Sequence, residues 1–240
     1  MRHDICGKCS LSCTCAAICS SYGEDAVQNR GFLRNETFLR KRVDGVLIVR
    51  SGLLAVYYNQ VDGERQVVIL ASCGDTIGET GALLDGPLDD YILMITDVEA
   101  CVIPQTYYRA ILRSNPQLLL GVAEASMRNA GSFTYLSWML QGSSVRDRIE
   151  RFLAYYYVQY STGKENNFIV PVSHEMIALV VHSERATVTR ALGRMSKDGL
   201  IALRAGAIII KADKWAESFK TARLVSEVRE RFASLSVSLD

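Results

Sequence analysis

Five of the seven cysteines in this 240-residue chain fall within its first nineteen positions, as Cys6, Cys9, Cys13, Cys15 and Cys19. An arm too short to build its own core has three chemical uses for so many thiols: disulfides, a metal ion, or an iron–sulfur cluster. Arg2, His3, Asp4, Lys8 and the cysteines interrupt any apolar h-region of a signal peptide. No later run supplies the roughly eighteen uninterrupted apolar residues that a membrane helix needs. We therefore expect a cytoplasmic protein with no membrane partner, in a compartment that keeps thiols reduced. There a cysteine cluster points to metal binding or redox chemistry rather than to a disulfide framework. Cys73, isolated in the chain, reads as a plain buried thiol or a residue without a role.

The elements that must position these thiols are those of an ordinary globular protein, with 49% hydrophobic and 22% charged residues. The length suits one large or two modest domains. A net charge of +1 excludes a chain-wide basic field, so any nucleic-acid contact has to come from a local surface. We find no cofactor loop, no nucleophile–base constellation and no paired acids of catalytic geometry, and expect no enzyme. Asp89 and Asp90 are adjacent and read as a solvated turn.

Between Asn35 and Pro104 short β-rich runs alternate with D-G and S-G turns: Phe38–Val43, Val46–Val49, Leu53–Tyr58, Gln66–Leu70, Ile92–Ile95 and Val98–Ile103. They predict a β-barrel or roll. From Pro104 the texture turns helical, first to about Ser114, then from Pro116 through Gln141. Within the second stretch Leu119, Val122, Ser126, Asn129, Phe133, Leu136 and Leu140 step by three and four. This seam serves either a helix packed on its own domain or a parallel dimer, with Ser126 and Asn129 as polar register marks. Gln141–Ser144 breaks the helix, and Val145–Tyr160 forms another.

The last third carries the most specific pattern. Ser173 and Ser183 stand where caps would start two short helices joined by a tight turn. The second helix buries Val188, Ala191, Leu192 and Met195 and leaves Arg185, Ala186, Thr189 and Arg190 on the opposite face. Two strands around Ala205–Gly206 complete a winged helix-turn-helix, whose second helix enters a DNA major groove.

The segments "LIVRSGLLAVYY", "GDTIGETGALLDG" and "SHEMIALVVHSERATVTRALGRMSKDGLI" together resemble the CRP/FNR superfamily of transcription regulators, over about Asn35 to Trp215. The resemblance implies an α+β chain: a cyclic-nucleotide-binding-like β-roll, a long dimerisation helix and a C-terminal winged helix-turn-helix. The expected divisions are a cysteine-rich arm (1–22), the roll (23–114), the dimerisation helix (115–142) and the DNA-binding domain (143–240). The implied partners are a second copy of the chain, a pseudo-palindromic double-stranded operator and RNA polymerase. Arg190 matches the family arginine that reads guanine, with Arg185 and Thr189 beside it. Ala186 replaces a glutamate that many relatives aim at cytosine, so selectivity at that step is expected to be altered or relaxed. Ser173 and His174 are expected at phosphates. His182 reads as an ordinary surface histidine.

Two branches of the superfamily differ in their signals. The cyclic-nucleotide branch binds ribose through a Gly-Glu pair and phosphate through a later Arg-Ser pair. Gly78 and Glu79 are present, but Asp89 and Asp90 occupy the phosphate positions and repel a phosphodiester, which argues against that ligand. The FNR branch holds a [4Fe–4S] cluster through a C-x2-C-x5-C group and a cysteine on the roll before an x-Ile-Pro. Cys6, Cys9 and Cys15 have that spacing, and Cys101 precedes Val102-Ile103-Pro104. This implies four thiolate ligands, a cluster that orders an otherwise loose arm, and DNA binding set by oxygen or redox state. Cys9, Cys13 and Cys19 with Cys101 form an alternative set. Zinc on the thiols, a thiol–disulfide switch, or an effector in the roll near Leu83, Leu84 and Tyr91 remain the other readings.

Overall fold

The computed structural model describes residues 11–61, 63–84 and 90–233. The chain divides into two compact units, Met1–Phe133 and Thr134–Asp240, with the boundary inside one long helix.

The first unit opens with helix α1 (Ser12–Tyr22) and continues through strands β1 (Gln28–Phe32), β2 (Thr37–Leu39), β3 (Gly45–Ser51), β4 (Leu54–Asn59), β5 (Arg65–Ala71) and β6 (Thr76–Ile77). Helix α2 (Glu79–Leu84), strands β7 (Tyr91–Met94) and β8 (Val98–Pro104), helix α3 (Gln105–Ser114) and the long helix α4 (Leu119–Leu140) follow. The strands form two antiparallel four-stranded sheets, ordered β1-β8-β3-β6 and β2-β7-β4-β5. This is the expected roll. Strand alternation sends Leu47 and Val49 between the sheets with Leu54, Val56, Ile92, Met94 and Val102. Val46 and Ile48 point the other way and join Ile103, Tyr108, Ile111 and Val122 in a second buried cluster beneath the helices. Gly78 has a φ of 112°, and a Cβ there would sit 2.4 Å from the Gly45 carbonyl oxygen, so the turn into α2 requires glycine.

Three expectations for this unit need correction. The strand read over Phe38–Val43 stops at Leu39, because Arg40–Arg42 forms a 3₁₀ turn. β1 escaped the pattern because "QNRGF" buries only Phe32; its pairing with β8 makes it a strand. The arm read as loose is helical from Ser12: Leu11 and Ile18 are fully buried in the second cluster, and Tyr22 stacks on Tyr107 of α3 with ring centroids 4.7 Å apart. Apolar contact holds that half of the arm.

The second unit holds the end of α4, then α5 (Val145–Tyr160), β9 (Asn167–Val170), α6 (His174–Val180), α7 (Arg185–Lys197), β10 (Ile201–Arg204), β11 (Ala207–Lys211), α8 (Ala212–Glu217) and α9 (Phe219–Ala233). Tyr135 of α4 donates its hydroxyl to the Arg151 carbonyl at 2.7 Å and stacks on Tyr155. A three-stranded sheet, β10-β11-β9, closes the domain. α9 packs on α5 through buried Leu224 and Val228. Lys220 on α9 bridges Asp147 and the buried Glu150, each at 2.7 Å. Among the described residues no helix is long and apolar enough to cross a membrane.

Candidate functional site

Ser173 starts α6 by accepting a hydrogen bond from the Met176 amide at 3.2 Å. Ile177, Ala178 and Val180 are buried on its inner side, and Val188, Ala191, Leu192 and Met195 on that of α7. The turn between them passes through His182 at φ 51°, the left-handed region. Arg148 of α5 steadies this turn by donating to the Val181 carbonyl at 2.9 Å. Ser183 does not cap α7: the cap position falls on Glu184, with no side-chain hydrogen bond, and the Ser183 amide donates instead to Ala178.

Arg185, Ala186, Thr189 and Arg190 are all exposed on α7. The Arg190 guanidinium donates to Thr187 at 3.0 Å, which orients its fork along the helix face. His174 Nδ1 lies 3.1 Å from the Thr189 hydroxyl, tying the start of α6 to that same face. Burial, and then the Arg185 charge, push the His174 imidazole below its ordinary pKa. The site therefore offers a guanidinium pair, a hydroxyl and a neutral imidazole, with the hairpin tip at Ala205–Gly206 in the same unit.

Cys6 and Cys9 lie outside the described residues. Cys13 is exposed, while Cys15 and Cys19 are half-buried one helical turn apart on α1. Half-buried Cys101 on β8 lies 3.4 Å from the Asn29 side-chain oxygen. Cys15 and Cys101 both border the second buried cluster. Among the described residues no three Cys, His, Asp or Glu side chains converge as a metal site, so Cys13, Cys19 and Cys101 are not gathered. Cys73 is exposed rather than buried.

In the roll, Glu79 is only 5% exposed and accepts hydrogen bonds from the Thr76 hydroxyl and, at 3.4 Å, from the Asn129 amide. Asp89 lies outside the described residues. Asp90 is not part of a solvated turn: it is 1% exposed and paired with Arg40 at 2.9 Å. Its charge is therefore neutralised from within the roll rather than offered to a ligand.

The seam of α4 splits into two rows. Leu119, Ser126 and Phe133, seven residues apart, are exposed. Val122 and Leu136 are buried, Asn129 turns inward to Glu79, and Leu140 is half-buried. Only the first row is open to another chain, and Leu120 and Met127 extend its apolar character.

A β-roll, a long helix and a winged helix-turn-helix define a DNA-binding regulator. Residues 32–115 match the family described as "Cyclic nucleotide-binding domain", and residues 147–214 match the "Crp-like helix-turn-helix domain". The chain belongs to the CRP/FNR-type transcription regulators. It is 25% identical over 157 residues to "Probable transcriptional regulator flp" of Lacticaseibacillus casei, covering 65% of this chain and 70% of that protein. Among solved structures, a CRP-family transcriptional regulator from Thermus thermophilus shares the fold at a TM-score of 0.66 and 23% identity, over 82% of this chain and 96% of the other. A second, CRP/FNR-family regulator of that organism gives 0.61 and 18%, over 83% and 98%.

Proposed function

We propose that this regulator binds DNA under the control of a [4Fe–4S] cluster held by Cys6, Cys9, Cys15 and Cys101, and so responds to oxygen or redox state. The observation that supports the reading is that Cys15 and Cys101, from elements far apart in sequence, both pack against the edge of one buried cluster. Two of the four thiolates would then come from a helix and a strand already fixed by packing. The donor set suits the group, since cluster irons prefer soft thiolates. When bound, the cluster supplies an oxidant-sensitive centre. The chain's own contribution would be to hold two ligands on α1 and β8, beside the buried cluster.

The protein would act as a homodimer joined along the outward row Leu119, Ser126 and Phe133, presenting two α7 helices to a pseudo-palindromic operator and working with RNA polymerase. Cyclic nucleotide has no place in this reading, because Glu79 and Asp90 are both engaged internally.

The test is iron, sulfide and zinc content with a visible spectrum, on wild type and Cys101→Ser purified without oxygen. About four irons and four sulfides per chain, with a brown absorbance that air bleaches and the variant lacks, supports the cluster. Tightly bound zinc, or no metal, overturns it and turns attention to an effector in the roll or to thiol oxidation.

A further inference from the structure

The junction of the roll with α4 holds a carboxyl group whose surroundings are unfinished. Glu79 Oε1 accepts from both Thr76 and Asn129, which leaves the carbonyl oxygen of Asn129 buried with no hydrogen-bond partner. Leaving a buried acceptor without a partner is destabilising, so a donor is expected. An ionised Glu79 has none to give. A protonated one does: a carboxylic acid and a primary amide can close a ring of two hydrogen bonds, N–H to C=O one way and O–H to C=O the other.

We propose that Glu79 carries a proton in the folded protein and forms this two-point acid–amide pair with Asn129, making the attachment of α4 to the roll a proton-dependent latch. Asn129 Nδ2 donates to Glu79 Oε1, as it already does, and Glu79 Oε2–H donates to Asn129 Oδ1. Loss of the proton to solvent removes the second bond and strands the acceptor.

The charged and titratable neighbours agree. Burial is the largest influence on Glu79 and raises its pKa to about 7; its own backbone amide, then Arg40 and the Asn129 amide, oppose the rise, and Asp75 adds to it. Arg40 is itself engaged by Asp90. From α3, Tyr108 faces the group as a buried neutral phenol, with Cys15 of α1 beyond it. Arg109 is turned to the Gly81 and Ala82 carbonyls. The folded state thus binds this proton more tightly than the unfolded chain. The stabilisation is complete below the ordinary carboxylate pKa and is lost as pH rises through about 7. The inference does not depend on the cluster.

The experiment is carboxyl-carbon and side-chain-amide NMR on the full chain, with Glu79 assigned by Glu79→Gln. We expect the Glu79 carboxyl to titrate near 7 and the Asn129 side-chain amide to move with the same midpoint. Glutamine keeps both hydrogen bonds of the ring. Glu79→Gln should therefore erase the fall in thermal midpoint between pH 5.5 and 8.5 that the wild type shows. A Glu79 titration in the ordinary range, about 4.5, or an Asn129 amide unmoved across it, overturns the latch. Both readouts come from the wild type, so they stand even if the variant fails to fold.

Discussion

Arg40 and Asp90 stand fifty positions apart in sequence, yet the guanidinium Nε meets the carboxylate at 2.9 Å inside the roll. The Arg40 backbone amide also donates to the Asp90 carbonyl, so the pair is fixed by main chain as well as side chain. Breaking such a pair from one side leaves a buried charge without compensation. Asp90→Ala should therefore cost about 3–5 kcal/mol in urea unfolding, whereas Arg40→Met with Asp90→Leu should recover most of the loss. Equal losses in the single and double variants would show that the ion pair itself is not the issue.

His182 occupies the left-handed region at the centre of the helix-turn-helix, where a side chain's Cβ crowds the backbone. Removing that Cβ relieves strain, although glycine also gains freedom in the unfolded chain. The balance favours His182→Gly by about 0.5–1 kcal/mol. Chemical denaturation would show this as a higher midpoint at unchanged slope.

The α7 face separates charge from base reading. Arg185 is cationic, and His174, held below its ordinary pKa, is neutral near pH 7. If Arg185 meets a phosphate, Arg185→Ala should lower the salt slope of operator binding by about one, and His174→Ala should leave that slope intact. Arg190→Ala should cost about 1–3 kcal/mol on the best operator and relax preference at one base step. Ala186→Glu should sharpen it for cytosine by a similar amount. A base-substitution series titrated over several salt concentrations reads all four.

Legibility from sequence followed the range of the interactions. Helix α5 and the wing were readable because their periodicity and turns are local. Ser183 carries a cap signature, but Glu184 follows it directly and backbone geometry places the cap there. Strand β1 and the Arg40–Asp90 pair were invisible because each exists only through a partner distant in the chain. The heptad seam was seen, but a seven-residue repeat cannot say which of its two rows faces inward. Val122 packs in and Phe133 stays out because of what lies beside α4, not because of their own spacing. Leu224 and Val228 of α9, one turn apart and both buried, have the spacing of a helix's inner face and are local enough for the sequence to show them.

Acid sensitivity should concentrate where α9 meets α5. Lys220, aided by the Ser143 and Ser144 hydroxyls, holds the Asp147 carboxyl well below the usual range. A depressed carboxyl contributes stability above its unfolded pKa and loses it as pH falls through the folded value. The wild type should thus weaken below about pH 4. Lys220→Met should flatten part of that loss while lowering stability at neutral pH, because buried Glu150 also loses its Lys220 contact. Unfolding curves across pH 2–7 check both signs.

The sharpest test of the thiol assignment compares two neighbours on one helix. Cys13 and Cys15 are two residues apart, so α1 sets them roughly 200° apart around its axis. Cys13 faces solvent, and Cys15 borders the buried cluster that Cys101 also touches. A ligand set anchored on Cys101 can use the inward thiol far more readily than the outward one. Cys15→Ser should therefore abolish iron retention under anaerobic purification, and Cys13→Ser should keep it at the wild-type level. The helix itself should survive either change, since Leu11 and Ile18 hold it in place, and far-ultraviolet circular dichroism would verify this. The reverse pattern, with iron lost from Cys13→Ser and kept in Cys15→Ser, would require α1 to turn about its axis before binding. The four-ligand assignment would then pass to Cys9, Cys13, Cys19 and Cys101.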